Sequence, residues 1–112
     1  MSISTKRRRK IIVGDRAYVW YVAEDDDSAY DVLNIVSDDK YLILSCPLKT
    51  GTDYVISKGR VFQKKEIHSG WRRFLLPFSI PDAVTPKLVE QITVWATEST
   101  DAVPINAGEV SL

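Results

Sequence analysis

The sequence predicts an α+β domain: a curved antiparallel sheet or partial barrel of about six or seven short strands, with one C-terminal helix packed on it. Three observations predict it. Between residues 10 and 78, short runs rich in Val, Ile, Tyr and Trp alternate with Gly, Pro, Asp and Ser clusters at close spacing, the pattern of an antiparallel meander. A single stretch, residues 85–98, carries apolar residues at a 3.6-residue period. With 112 residues, the chain forms one domain, since two halves would each be too small to bury a core of their own.

The elements follow in order. In "KIIVGDRAYVWYVAE" (10–24) two β-rich runs are separated at Gly14-Asp15, which predicts a hairpin. Its second strand carries Tyr18, Trp20 and Val22 on one face and Val19, Tyr21 and Ala23 on the other, so both faces are expected to be buried. "DDDSA" (25–29) breaks the run. "YDVLNIVS" (30–37) then places Leu33 and Ile35 on one face and Val32, Asn34 and Val36 on the other. "SDDK" (37–40) is a turn signal, because Ser and Asp side chains can take the place of backbone partners. The nearly continuous apolar strand "YLILSC" (41–46) stops at Pro47. After a Gly/Thr/Lys loop, "DYVIS" and "RVFQ" flank Lys58-Gly59 and predict a further hairpin. "WRRFLLPF" (71–78) supplies the last strand, entering the core from an exposed, arginine-bearing end.

The helix has explicit signals. Thr85 can cap it, Pro86 fits the first helical position, and Val84 can staple onto Val89. Leu88, Val89, Ile92, Trp95 and Ala96 then form one apolar face. The helix should end near residues 98–99. The organisation is therefore a basic arm (1–9), strands (10–78), the helix (85–98) and a polar tail (99–112) that is loosely attached or docks on a neighbouring subunit.

Composition narrows the function classes. At 45% hydrophobic and 27% charged, the chain matches a soluble globular protein rather than a disordered one. No apolar run approaches the ~20 residues of a membrane-spanning helix, and the three apolar residues after "KRRRK" are too few for a signal peptide. The lone Cys46 excludes an intrachain disulfide, so a cytoplasmic location is expected.

Net charge is zero, yet the charges are segregated. Residues 1–14 carry five bases and no acid, 15–53 nine acids and three bases, 54–78 six bases and one acid, and 79–112 five acids and one base. Such blocks serve outside partners or pair within the fold and between subunits. If the strands run simply up and down, Lys6 to Lys10, Asp25 to Asp27, Lys64, Lys65, Arg72 and Arg73 share one end. The arginines are then expected to meet the aspartates.

Few residues offer catalytic chemistry. His68 is the only histidine, which removes a histidine-rich zinc site, and consecutive aspartates lack the ligand spacing of a calcium loop. No metal site or cofactor is expected. Cys46, before Pro47 at the end of an apolar strand, fits a small buried hydrophobe better than a nucleophile. Glu66, His68 and Cys46 are nonetheless the group an enzyme would have to use, and an enzyme is the least favoured reading. "KTGTD" and "SKGR" are ordinary turns without the glycine pair and Lys-Ser/Thr of a phosphate loop.

Polyanion binding is the strongest chemical lead. Lys6, Arg7, Arg8, Arg9 and Lys10, with Lys64, Lys65, Arg72 and Arg73 beside Trp71 and Phe74, offer cations for phosphates and aromatics for stacking. The zero net charge weighs against a dedicated nucleic-acid domain. Trp20 and Trp95 mark the default pocket if the helix closes a half-open barrel, with no small-molecule ligand specified.

"KRRRKIIVGDRAYVWYV", "GWRRFLLPF" and "VTPKLVEQITVWA" resemble segments of small bacterial proteins of the kind encoded by mobile integron gene cassettes. The resemblance implies a bacterial, cytoplasmic, stand-alone protein that self-associates, and it carries no functional residues over. In element order alone, strands followed by a Trp-bearing helix also resemble pleckstrin-homology-like barrels, which does not fix function. The expected function is a small non-enzymatic binding or interaction module, homo-oligomeric, making its contacts through charge blocks or strand edges. Nucleic-acid or other polyanion binding is the alternative.

Overall fold

The computed structural model describes residues 8–24, 31–51, 53–66, 72–81 and 83–105. Its elements are β1 (Arg9–Val13), β2 (Arg16–Glu24), β3 (Asp31–Ser37), β4 (Ile43–Pro47), β5 (Tyr54–Ser57), β6 (Val61–Phe62), β7 (Lys65–Glu66), β8 (Arg72–Leu75), α1 (Pro86–Glu98) and β9 (Val103–Ile105). Seven strands form one sheet in the order β1-β2-β3-β4-β5-β8-β9, and β6 and β7 pair only with each other. Every pairing is antiparallel. The sheet is not closed, so β1 and β9 are its edges.

Turn chemistry sets the first registers. Val13 pairs with Arg16 across Gly14-Asp15, and of those two turn residues only Gly14 has a positive φ, 63°, the glycine-first pattern of a type II′ hairpin. In the turn between β3 and β4, the Ser37 hydroxyl donates to Asp39 Oδ1 at 2.6 Å and accepts from the Leu42 N–H at 3.0 Å. The same Asp39 oxygen accepts from the Tyr41 N–H at 3.0 Å. The expected exchange of side-chain for backbone partners is therefore present.

The expected hairpin at Lys58-Gly59 is not. After β5 the chain runs back along the start of β4: Lys58 N–H donates to Ile43 O at 2.8 Å, and Arg60 and Val61 N–H both donate to Tyr41 O. Gly59 permits this passage, because a β-carbon there would land on the Tyr41 carbonyl and 2.8 Å from Ile43 N. The next strand then leaves the sheet, because its aromatic is needed elsewhere. Phe62 stacks on Phe74 with centroids 4.3 Å apart, and Trp95 meets it edge-on at 5.4 Å.

β5 is thus paired with β8, and Tyr54 faces Leu75. This corrects the expected placement of the loop between β5 and β8. The excursion from Ser57 to Arg72 leaves and rejoins the sheet at the end that carries the Gly14-Asp15 and Asp38-Asp39 turns. Arg72 is nonetheless level with Arg9, because the cross-strand row runs Arg9, Trp20, Ile35, Leu44, Ser57 and Arg72, with the two arginines on opposite lateral sides of the sheet. Asp25 to Asp27 lie outside the described residues.

Helix α1 begins and ends close to expectation. The Thr85 hydroxyl accepts from the Leu88 N–H at 3.2 Å, and Pro86 occupies the first turn. Leu88, Val89, Ile92, Thr93, Trp95 and Ala96 are buried. Its C-terminus is closed by the β6–β7 hairpin: Gln63 N–H donates to Ala96 O at 2.7 Å, and Gln63 Nε2 donates to Trp95 O at 3.1 Å. Gln63 Oε1 then accepts from the Ala102 N–H at 3.0 Å, steering the chain into β9. The segment expected as a polar tail therefore supplies the last strand, with Pro104 paired to Phe74.

One core results. Tyr18, Trp20, Leu33, Ile35, Leu44, Cys46 and Val55 on one face of the sheet join the buried face of α1. α1 reaches Phe74 of β8 through Phe62 and also packs against β1. In a flat sheet those two strands would be about 24 Å apart, more than the ~20 Å length of a 13-residue helix. The sheet therefore curls around the helix without closing.

Candidate interaction surface

Strand alternation decides what the other face of the sheet presents. Register pairs Val19 with Val36 and Val36 with Ile43, and it pairs Ala23 with Val32 and Val32 with Pro47. These residues are half-buried, and none belongs to the core cluster. Between those two rows, Tyr21 pairs with Asn34, Asn34 with Ser45, Ser45 with Ile56, and Ile56 with Arg73. The Ser45 hydroxyl donates to Asn34 Oδ1 at 2.9 Å, and Asn34 Nδ2 donates to Val32 O at 3.2 Å. The polar centre of the face is thus satisfied within the chain.

An antiparallel sheet with one face in water normally alternates apolar inside and polar outside. Here β2, β3 and β4 are apolar on both. The sequence signal for this surface, Val19, Tyr21 and Ala23 opposite Tyr18, Trp20 and Val22, is legible in the chain, but the expectation of burial on both faces holds for one face only.

The edges differ from the face. Arg8, Arg9 and Lys10 are exposed on or beside β1. The Arg8 guanidinium lies 4.6 Å above the Tyr21 ring, and that of Arg9 lies 5.8 Å from the Trp20 ring, contacts worth about 0.5–1 kcal/mol each at exposed sites. Ile12, 64% exposed, is the one large apolar residue in β1 on the Lys10 side. At the far edge β9 has three residues, one of them Pro104.

The remaining predicted site residues are scattered. Lys6, Arg7, His68 and Trp71 lie outside the described residues. Lys64 sits in the β6–β7 turn with its ammonium 3.7 Å from Glu98, and Lys65 is exposed in β7. Arg72 is exposed and Arg73 half-buried in β8. Described ion pairs form elsewhere than expected, Arg16 meeting Asp39 at 3.4 Å. Trp20 and Trp95 are both buried members of the core cluster.

Two observations bear on chemistry. Cys46 is fully buried, and burial pushes its thiol up to about 12, which removes the thiolate a nucleophile requires. Among the described residues, no group of three or more His, Cys, Asp or Glu side chains is placed to hold a metal ion, and no helix is long and apolar enough to cross a membrane. Comparison of the chain with protein-family models, with curated proteins and with solved structures finds no match.

Proposed function

We propose that this chain is a small non-enzymatic protein-interaction module that associates with itself. One observation carries the reading: on the sheet face away from the helix, Val19, Val32, Val36 and Ile43 are only half-buried. Apolar side chains left partly in water side by side on one face are what a contact surface offers a partner. Light scattering tests it directly. A stable species larger than 12.7 kDa at micromolar concentration is the expected result, and a strict monomer at every concentration rejects the reading.

A second reading rests on Arg8, Arg9 and Lys10, exposed together at one edge of the sheet. Adjacent cations can hold phosphates by releasing counterions, and a guanidinium can itself stack on an unpaired base. It expects retention on heparin or single-stranded DNA that weakens as salt rises. Elution without retention at low salt removes it.

A further inference from the structure

We infer that the β1 edge of the sheet takes an extended segment of a partner protein as an additional antiparallel strand, and that this segment carries apolar residues followed by acidic ones. The site is separate from the outer face on which the self-association reading rests, so either can fail alone.

The two edges of the sheet are built differently. β9 has three residues and carries Pro104, which removes a backbone donor and blunts an edge. β1 has five residues and no proline, and it pairs with β2 without interruption from Arg9–Trp20 to Val13–Arg16. The pair that closes a two-residue hairpin turn is hydrogen-bonded, and such pairs alternate along an antiparallel ladder. Val13, Ile11 and Arg9 therefore bond to β2, while the N–H and C=O groups of Lys10 and Ile12 point away from the sheet. Outward groups of this kind are the template for strand addition.

The side chains leave that template open. The Arg8 guanidinium lies over Tyr21 and that of Arg9 near Trp20, so both lean back across β2 rather than over the edge. Ile11 and Val13 pack against the core and hold the strand in place. Ile12, by contrast, is 64% exposed.

The pattern of β1 selects the occupant. Arg8, Arg9 and Lys10 are exposed cations, and Ile11, Ile12 and Val13 are apolar. An antiparallel strand meets the apolar half first and the basic half second, so apolar residues followed by acidic ones complement it. Cross-strand pairs of opposite charge and of apolar side chains stabilise a sheet, whereas like charges directly opposite destabilise it. A second copy fails this requirement. Every antiparallel register that pairs more than three residues of β1 with its copy sets a cation against an apolar residue or another cation. A nucleic-acid strand would meet the cations but leave Ile12 and the outward backbone groups unused.

The test uses the full chain and a fluorescently labelled, end-blocked peptide, Val-Val-Val-Glu-Glu-Glu, with binding read by anisotropy. Saturable binding is expected, and its absence up to millimolar peptide overturns the inference. The reversed peptide, Glu-Glu-Glu-Val-Val-Val, has the same charge but sets acids against Ile11 to Val13 in an antiparallel pairing. It should bind about tenfold more weakly, and equal binding overturns the inference. Ile12→Pro keeps every cation and the bonds to β2 while removing one outward N–H, a change that an edge strand tolerates. Binding should weaken about tenfold, with retention on heparin unchanged. A folded Ile12→Pro that binds the peptide like wild type overturns the inference, and retention of both proteins on single-stranded DNA would then assign the cations to a polyanion.

Amide hydrogen exchange of the wild type covers the case in which Ile12→Pro fails to fold. Without peptide, the Lys10 and Ile12 amides should exchange fast and those of Ile11 and Val13 slowly, and the peptide should slow Lys10 and Ile12. No change at saturation, or protection of Lys10 and Ile12 before peptide is added, overturns the inference. Light scattering keeps the two readings apart: a monomer that binds the peptide rejects self-association alone, and a dimer that does not bind it rejects the inference alone.

Discussion

At the scale of single residues, three side chains or their absence set local stability. The Asp39 carboxylate is held below its ordinary value of 3.8, first by the Ser37 hydroxyl, then by the Tyr41 N–H, with Arg16 adding to the effect. A depressed folded-state value contributes stability that is fully present above the unfolded value and lost as pH falls through the lower folded one. The midpoint of urea unfolding should therefore fall as pH drops below about 4, and Asp39→Asn should flatten that slope. Gly59 is a different case, set by sterics: Gly59→Ala drives a methyl into the backbone of residues 41–43 and should cost about 3 kcal/mol, measured by denaturant unfolding. Cys46 should be unreactive toward thiol reagents in the native protein and fully reactive in denaturant. Rapid native labelling would contradict its burial and reopen a nucleophilic role.

At the scale of elements, the helix is secured at both ends by different means. Its N-terminus uses a local signal, Thr85 before Pro86, and Thr85→Ala should cost about 1 kcal/mol. Its C-terminus depends on Gln63, from 32 residues earlier in the chain, in a turn where both Gln63 and Lys64 have positive φ. Such conformations cost on the order of 1 kcal/mol for residues with a β-carbon, and the hydrogen bonds to Trp95 O, Ala96 O and Ala102 N–H offset them. Gln63→Ala retains the backbone bond but strands the Ala102 N–H; thermal or urea unfolding should show a loss of about 2 kcal/mol. The helix ends were visible in the sequence at 85–86 and near 98. The hairpin that closes the second end was not, because no local pattern shows that Gln63 meets residues 95 and 96.

At the scale of the whole molecule, the domain has more apolar sheet surface than its one helix can cover. The proposed self-association would stabilise the folded state by mass action, so the melting temperature should rise with protein concentration. A melting temperature independent of concentration would indicate that folding and association are not coupled. The charge blocks play a smaller part than their segregation suggests. The pairs Arg16 with Asp39 and Lys64 with Glu98 are solvent-exposed, and exposed pairs contribute little.

The sequence by itself determined the fold class, the two-faced apolar character of residues 18–23, the turn at residues 37–40 and the extent of the helix. Each depends on periodicity or on partners within a few residues. Only the tertiary structure decided that residues 61–62 leave the sheet, that β8 pairs with β5, that residues 103–105 form its last strand, and that Arg72 lies level with Arg9 across the sheet. Those outcomes depend on how Phe62, Phe74 and Trp95 pack together. Apolar contact is non-directional, so the chain pattern shows which residues must be buried but not which neighbours bury them.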